Sequence, residues 1–130
     1  MTTPRANSYI GITTEKFKET ADFYIQHFGY SINAEAEGFI VIQSPNQKRT
    51  LGFSAPSNDK GLIGTFSGGI HLPFLVDDIE AALAGFKRAG VSVTRNIKTE
   101  NWGEKHFVVT DPAGVELYIS EGSKEVTQGV

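Results

Sequence analysis

Two residues of this sequence have the side chains for acid–base or metal chemistry in a setting that could use them, His71 and Glu116. Each stands in an apolar run whose side chains alternate as in a half-buried strand. In the stretch from Ile70 to Val76, the residues Ile70, Leu72, Phe74 and Val76 share one face and His71 falls on the other. In the stretch from Val115 to Ser120, Glu116 and Tyr118 share the less apolar face, opposite Val115, Leu117 and Ile119. If His71 and Glu116 line one cavity, a hydrogen bond between them would raise the basicity of the imidazole and make a general base without a metal. The alternative is an ordinary polar wall residue satisfied by hydrogen bonds. His106 alternates with Phe107 and Val109 and points either into a cavity or to solvent. Trp102, the sole tryptophan, sits beside Gly103 in a loop, where its ring either caps the core or stacks on a ligand. His27 near the end of a helix supports that helix's C-terminus instead.

The elements that must hold these residues follow from a change of period along the chain. Tyr9 to Thr14 alternates as a strand, with Ile10 and Ile12 on one face. Phe17, Ala21, Tyr24 and Phe28 then recur as the stripe of an amphipathic helix over about 15–28, closed by Gly29. Strands are expected at about 30–35, 39–43 and 50–54, separated by Glu37-Gly38 and by Ser44-Pro-Asn-Gln47. Residues 55–69 have the Gly, Ser, Pro and Asn of a connecting loop. The order then repeats. A strand holds His71, Asp77-Asp78 and Glu80 cap a helix with Ile79, Ala82, Leu83 and Phe86 as its stripe, and Gly90 ends it. Strands follow at 91–95, 105–110 and 115–120, and the residues from Gly122 read as a disordered tail.

The halves also match in sequence. Gly29-Tyr-Ser-Ile32 lies opposite Gly90-Val-Ser-Val93, and Ala21 opposite Ala82, both at a spacing of 61 residues. Two β-α-β-β-β modules from an internal duplication are therefore expected, about 8–55 and 69–121 with a linker at 56–68. Each module has a single helix and so leaves one sheet face uncovered. Two such faces brought side by side would enclose a cavity, the default place for a ligand.

Composition narrows the functions. A chain of 130 residues fits one domain and can bury a core without covalent staples. The absence of cysteine removes thiolate metal sites, disulfides and thiol nucleophiles. Twelve basic residues against 15 acidic ones, a net charge of −3, with no basic stripe, argue against nucleic acid. No run has the length or apolarity of a signal peptide or a membrane span, so a soluble cytoplasmic protein is expected. Phosphate-binding glycine loops, His-Glu-x-x-His and Gly-x-Ser-x-Gly are all missing.

Several local patterns together resemble the vicinal oxygen chelate superfamily of glyoxalase I, extradiol dioxygenases and bleomycin-resistance proteins. They are Ala21-Asp-Phe-Tyr24 with Phe28-Gly29, Val76-Asp77 before the second helix, and Trp102-Gly103 followed by Phe107 and Asp111-Pro-Ala-Gly114. The resemblance covers about residues 8–121. It implies an α+β fold of two β-α-β-β-β modules with curved mixed sheets, and a homodimer. Metal-binding members of the superfamily hold a divalent ion with four side chains, commonly His, Glu, His and Glu, one from each of four strands. Counted onto this chain, the four positions are Tyr9, Gly52 or Phe53, His71 and Glu116. Two of them cannot ligate, so no metal cofactor is expected. The alternative is Mg, Mn, Fe, Ni or Zn held by His71 and Glu116 with other groups.

The expected function is small-molecule binding in a cavity lined by Tyr9, Phe53, His71, Trp102, His106 and Glu116. If the protein is an enzyme, His71 and Glu116 are the catalytic candidates. The alternatives are a metal-dependent lyase, isomerase or dioxygenase of the same superfamily, or an interaction module whose cavity is vestigial.

Overall fold

The computed structural model of the chain describes residues 9–57 and 64–121, in two compact units divided between Ser67 and Gly68. The tail expected from Gly122 and the middle of the expected linker, 58–63, lie outside the described residues. The first unit runs β1 (Ile10–Thr13), α1 (Phe17–Phe28), β2 (Ser31–Ala36), β3 (Phe39–Gln43) and β4 (Thr50–Ser54). The second runs β5 (His71–Leu75), α2 (Ile79–Arg88), β6 (Val93–Thr99), β7 (Lys105–Thr110) and β8 (Glu116–Ser120). Both units are thus β-α-β-β-β, as the duplicated pattern requires. Their sheets have the same order, β1-β4-β3-β2 and β5-β8-β7-β6. In each sheet the first strand pairs with the last in parallel, and the other neighbours are antiparallel.

Burial of one helix face on one sheet face organises each unit. In α1, Thr20, Ala21 and Tyr24 are fully buried, and Thr20 Oγ1 donates to the Lys16 carbonyl at 2.7 Å, so its hydroxyl is satisfied inside the helix. Gly29 ends the helix at φ 71°, a left-handed conformation that suits glycine. The Tyr24 ring stacks on Phe53 with centroids 5.6 Å apart and tilts against Tyr30 at the same distance. Phe53 is only 1% exposed.

This burial corrects the expectation that Phe53 lines a ligand cavity. Leu51 and Phe53 are two apart in β4 and both point toward α1, so Gly52 between them faces the opposite, uncovered side. Tyr9 lies on that side. A Cβ built on Gly52 would overlap the Tyr9 ring, falling 2.8 Å from its Cδ1, so the missing side chain is what lets the ring lie on the strand.

The second unit departs from expectation at the ends of three elements. The N-cap of α2 is Asp78, whose Oδ1 accepts from Ala81 N at 3.1 Å, and Glu80 is therefore not the capping-box partner of Asp77. Glu121 Oε1 accepts the Ile79 N–H instead, tying the end of β8 to the start of the helix. Strand β6 begins later than expected because the Val91 N–H is given to the Phe86 carbonyl at 3.0 Å, and it runs on to Thr99 through bulges between Val93 and Arg95 and between Arg95 and Lys98 in its pairing with β7. Strand β8 starts at Glu116 because the Val115 N–H is taken by Asp111 Oδ1 at 2.9 Å, within the Asp-Pro-Ala-Gly turn, where Gly114 has φ 96°.

Truncating the ring that joins β4 to α1 tests the corrected placement. Phe53→Ala should lower the unfolding free energy by about 3–5 kcal/mol, the range for a buried aromatic ring cut to Ala. Urea denaturation followed by circular dichroism measures it, and a loss below about 1 kcal/mol would mean that the ring is not buried against the helix.

Candidate functional site

Strand register brings the chemistry-bearing residues of the second unit to one face. Leu72, Leu117, Ile119, Phe107 and Val109 are buried on the α2 side. Alternation therefore sends their neighbours to the uncovered side in three rows across the strands. One row is His71, Glu116 and Thr110; the next is Pro73, Tyr118, Val108 and Arg95; the third is Leu75, Ser120, His106 and Lys98. Val108 is short and stands between two long side chains, Tyr118 and Arg95. A cavity of about 360 Å³ lies here, lined by His71, Arg95, His106, Val108, Glu116 and Tyr118.

Two of the lining rings are held rigidly. His106 and Tyr118 stack with centroids 4.6 Å apart and planes at 22°. The polar ends of both are engaged by acids of the β6–β7 hairpin. His106 Nε2 is 2.7 Å from Glu100 Oε2, and the Tyr118 hydroxyl donates to Glu104 Oε1 at 2.8 Å. The hairpin is closed by Glu100 N–H to the Glu104 carbonyl at 2.8 Å and by Gly103 N–H to the Glu100 carbonyl at 3.0 Å. The His106 and Glu100 side chains are 13% and 19% exposed. The hydrogen bond from His106 holds the Glu100 carboxyl below the usual carboxylate range; partial burial opposes this, and Lys98, 3.4 Å away, adds to it. Burial pushes the Tyr118 phenol well up, and its bond to Glu104 and the nearby acid charges push it further, so it remains a neutral donor.

The other ionisable residues of the cavity have no such partner. Among the described residues, the side chains of His71, Arg95 and Glu116 form no hydrogen bond or ion pair. The structure brings His71 and Glu116 together as neighbours in parallel register, and no hydrogen bond joins them. The nearest ring to His71 is Tyr118, with centroids 6.4 Å apart and tilted by 57°. His106 has the carboxylate contact, through Glu100.

Trp102 stands at the tip of the β6–β7 turn and is 57% exposed. Its ring therefore does not cap the core, and it is not among the residues that line this cavity. Tyr9, 51% exposed, lies on the uncovered face of the first unit's sheet. Sequence reasoning missed Arg95, because the strand was expected to end there, and the two hairpin acids, because loop residues follow no alternation. Tyr118 was legible from its shared parity with Glu116.

The duplicated hydrogen bonds fix which positions correspond. Ser54 O accepts from Thr14 N at 2.8 Å and Ser120 O from Val76 N at 2.9 Å, one at the same place in each unit. Counting back from these, Tyr9 corresponds to His71, Thr50 to Glu116 and Gly52 to Tyr118. With Gly52 in the second chelate position, the fourth is Tyr118, and Glu116 lies two residues before it. The four positions then carry a phenol, no side chain, one imidazole and a second phenol, a donor set that does not fit a divalent ion. Among the described residues, Asp78, Glu80 and Glu121 are the one group of three acids or imidazoles close enough to share an ion. Their carboxylates already serve the start of α2 and, through Glu80, Lys105 at 3.6 Å.

The electrostatics of the hairpin are directly testable. A carboxyl whose folded value is depressed contributes stability above its unfolded value and loses it as pH falls through the folded one, here a window below 4.5. An NMR titration of the Glu100 carboxyl carbon should give a midpoint below 4.5 in the native chain and a higher one in His106→Phe. Equal midpoints in the two proteins would show that the hydrogen bond does not form in solution.

Comparison with known proteins agrees with this architecture. No curated protein sequence matches the chain. Among solved structures, a glyoxalase/bleomycin resistance protein/dioxygenase from Nocardioides superposes with a TM-score of 0.76 at 12% identity, covering 100% of this chain and 91% of that one. A lactoylglutathione lyase from Agrobacterium tumefaciens gives 0.70 at 18% identity, over 92% and 95% of the two chains. A bleomycin resistance determinant encoded on the transposon Tn5 gives 0.64 at 19%, over 91% and 98%. At such identities the likeness extends to the fold alone. The sequence profile of the Glyoxalase/Bleomycin resistance protein/Dioxygenase superfamily matches residues 7–119, and with both modules, both sheets and the shared topology in place, the chain belongs to that superfamily.

Proposed function

We propose that this protein binds a small organic molecule in the cavity of its second unit, without the superfamily's four-ligand metal site. One observation carries the reading: a hollow over Val108 is ringed by His71, Arg95 and Glu116, whose side chains have no partner among the described residues. Polar groups gathered around a concave, partly apolar floor and left unmatched by the protein are the usual mark of a ligand site. The stacked His106 and Tyr118 add a wall already ordered before a ligand arrives, which lowers the entropic cost of binding. A metal-dependent lyase, isomerase or dioxygenase would need a chelate set that the four corresponding positions do not make up. A cytoplasmic homodimer belongs to the same proposal, on the family resemblance, and light scattering of the purified chain tests the dimer. Among the described residues no helix is long and apolar enough to cross a membrane.

The test is a thermal-shift screen of small organic molecules followed by calorimetry on the hits. Val108→Phe, which fills the hollow from its floor, should weaken them by at least about tenfold, the cost of one lost contact set of about 1.4 kcal/mol. Trp102→Ala should leave them unchanged. Hits that are indifferent to Val108→Phe would place the ligand elsewhere and overturn the reading.

A further inference from the structure

We propose that the cavity selects a dipolar ligand, a planar ring with an anionic group at one end for Arg95 and a cationic group at the other for Glu116. The inference rests on the cavity reading above and adds the chemical class of the ligand. Arg95 and Glu116 are opposite charges in one site, and neither is neutralised by the protein. Other charges nearby are already matched: Lys98 pairs with Glu100, and Lys105 with Glu80. Glu100 and Glu104 are likewise occupied, by His106 and Tyr118.

Register sets the two free charges on different strands and at different levels of the sheet. Arg95 pairs with Val108 on β7, and Val108 pairs with Tyr118 on β8, two residues along that strand from Glu116. Two strand spacings across and one side-chain level along separate the Arg95 and Glu116 backbones by roughly 12 Å. Val108 stands on the strand between them, with Tyr118 beside it on β8. An α-amino acid carries both charges on one carbon and has no ring to lie on Val108 and Tyr118. A ring with its charges at opposite ends spans the gap and lays its apolar body on Val108 and Tyr118. The phenol end of Tyr118 is turned to Glu104, so the part of Tyr118 offered to a ligand is its ring. Arg95 suits a carboxylate or another planar oxyanion, because its guanidinium donates two parallel hydrogen bonds.

Three probes isolate the charges: 4-(aminomethyl)benzoate carries both, 4-methylbenzoate only the anion and 4-methylbenzylamine only the cation. Dissociation constants are measured near neutral pH on the full isotope-labelled chain, from the shifts of the cavity resonances. The dipolar probe should bind about three- to tenfold more tightly than either relative, as expected for one added partly exposed charge contact. Arg95→Gln should reduce it to about the affinity of 4-methylbenzylamine. Glu116→Gln should reduce it to the affinity of 4-methylbenzoate, and Arg95→Lys should restore part of what Arg95→Gln loses. A well-dispersed spectrum confirms that each variant is folded. If all three probes bind equally, or if the variants leave the ranking intact, the dipolar selection is wrong while the cavity still binds small molecules. If none of the probes shifts the cavity resonances, the dipolar selection also falls, and the broader reading is then decided by its own screen with Val108→Phe.

Discussion

Each four-stranded sheet of this protein is covered by one helix on one side, and strand alternation carries that asymmetry to every residue. Once Leu51 and Phe53 lie under α1, Gly52 must face away, and once Leu117 and Ile119 lie under α2, Glu116 and Tyr118 must face away. A slip of one residue in β8 would bury Glu116 in the α2 core and expose Leu117. The apolar gain of helix packing therefore specifies the register, and the register places the cavity lining.

The functional face is arranged in two tiers of constraint. His106 and Tyr118 are fixed by stacking and by acids from the same hairpin, so their conformations are set before any ligand binds. The bond from His106 favours the charged form of Glu100, and burial with the bond to Glu104 favours the neutral form of Tyr118. Arg95, His71 and Glu116 have no such restraint. Fixed rings next to unmatched charges divide the work of recognition, with the rings providing shape and the charges providing selectivity.

The duplication has kept the backbone and changed the chemistry. Tyr9 corresponds to His71 and Gly52 to Tyr118, so each uncovered face carries an aromatic ring, supplied by the first strand in one unit and also by the last strand in the other. In the first unit the glycine leaves room for the Tyr9 ring to lie on the strand. In the second unit both positions have side chains, and the rings of His71 and Tyr118 stand 6.4 Å apart. Spacing between the halves is also uneven. It is 61 residues at the helix ends, 62 between the first strands and 66 between the last, because loops absorbed the length differences.

Helices and strands were legible from the sequence because they are written locally, in the three-to-four-residue stripe of Ala21 and Tyr24 and the alternation around His71 and Glu116. The repeated β-α-β-β-β order and the superfamily were legible for the same reason, as was the shared parity of Glu116 and Tyr118 within one strand. What sequence alone left open was everything set by pairing between strands far apart in the chain. Phe53 was assigned to the wrong face because parity within β4 does not say which side the helix covers. The bulges of β6 hid Arg95, and Glu100 and Glu104 reached His106 and Tyr118 only through a hairpin whose closure depends on tertiary hydrogen bonds. The sequence by itself determined the elements and their duplication, since period and capping act over a few residues. Only the tertiary structure decided which side chains share the cavity and which charges go unmatched, because register and long-range neutralisation depend on partners that local sequence does not specify.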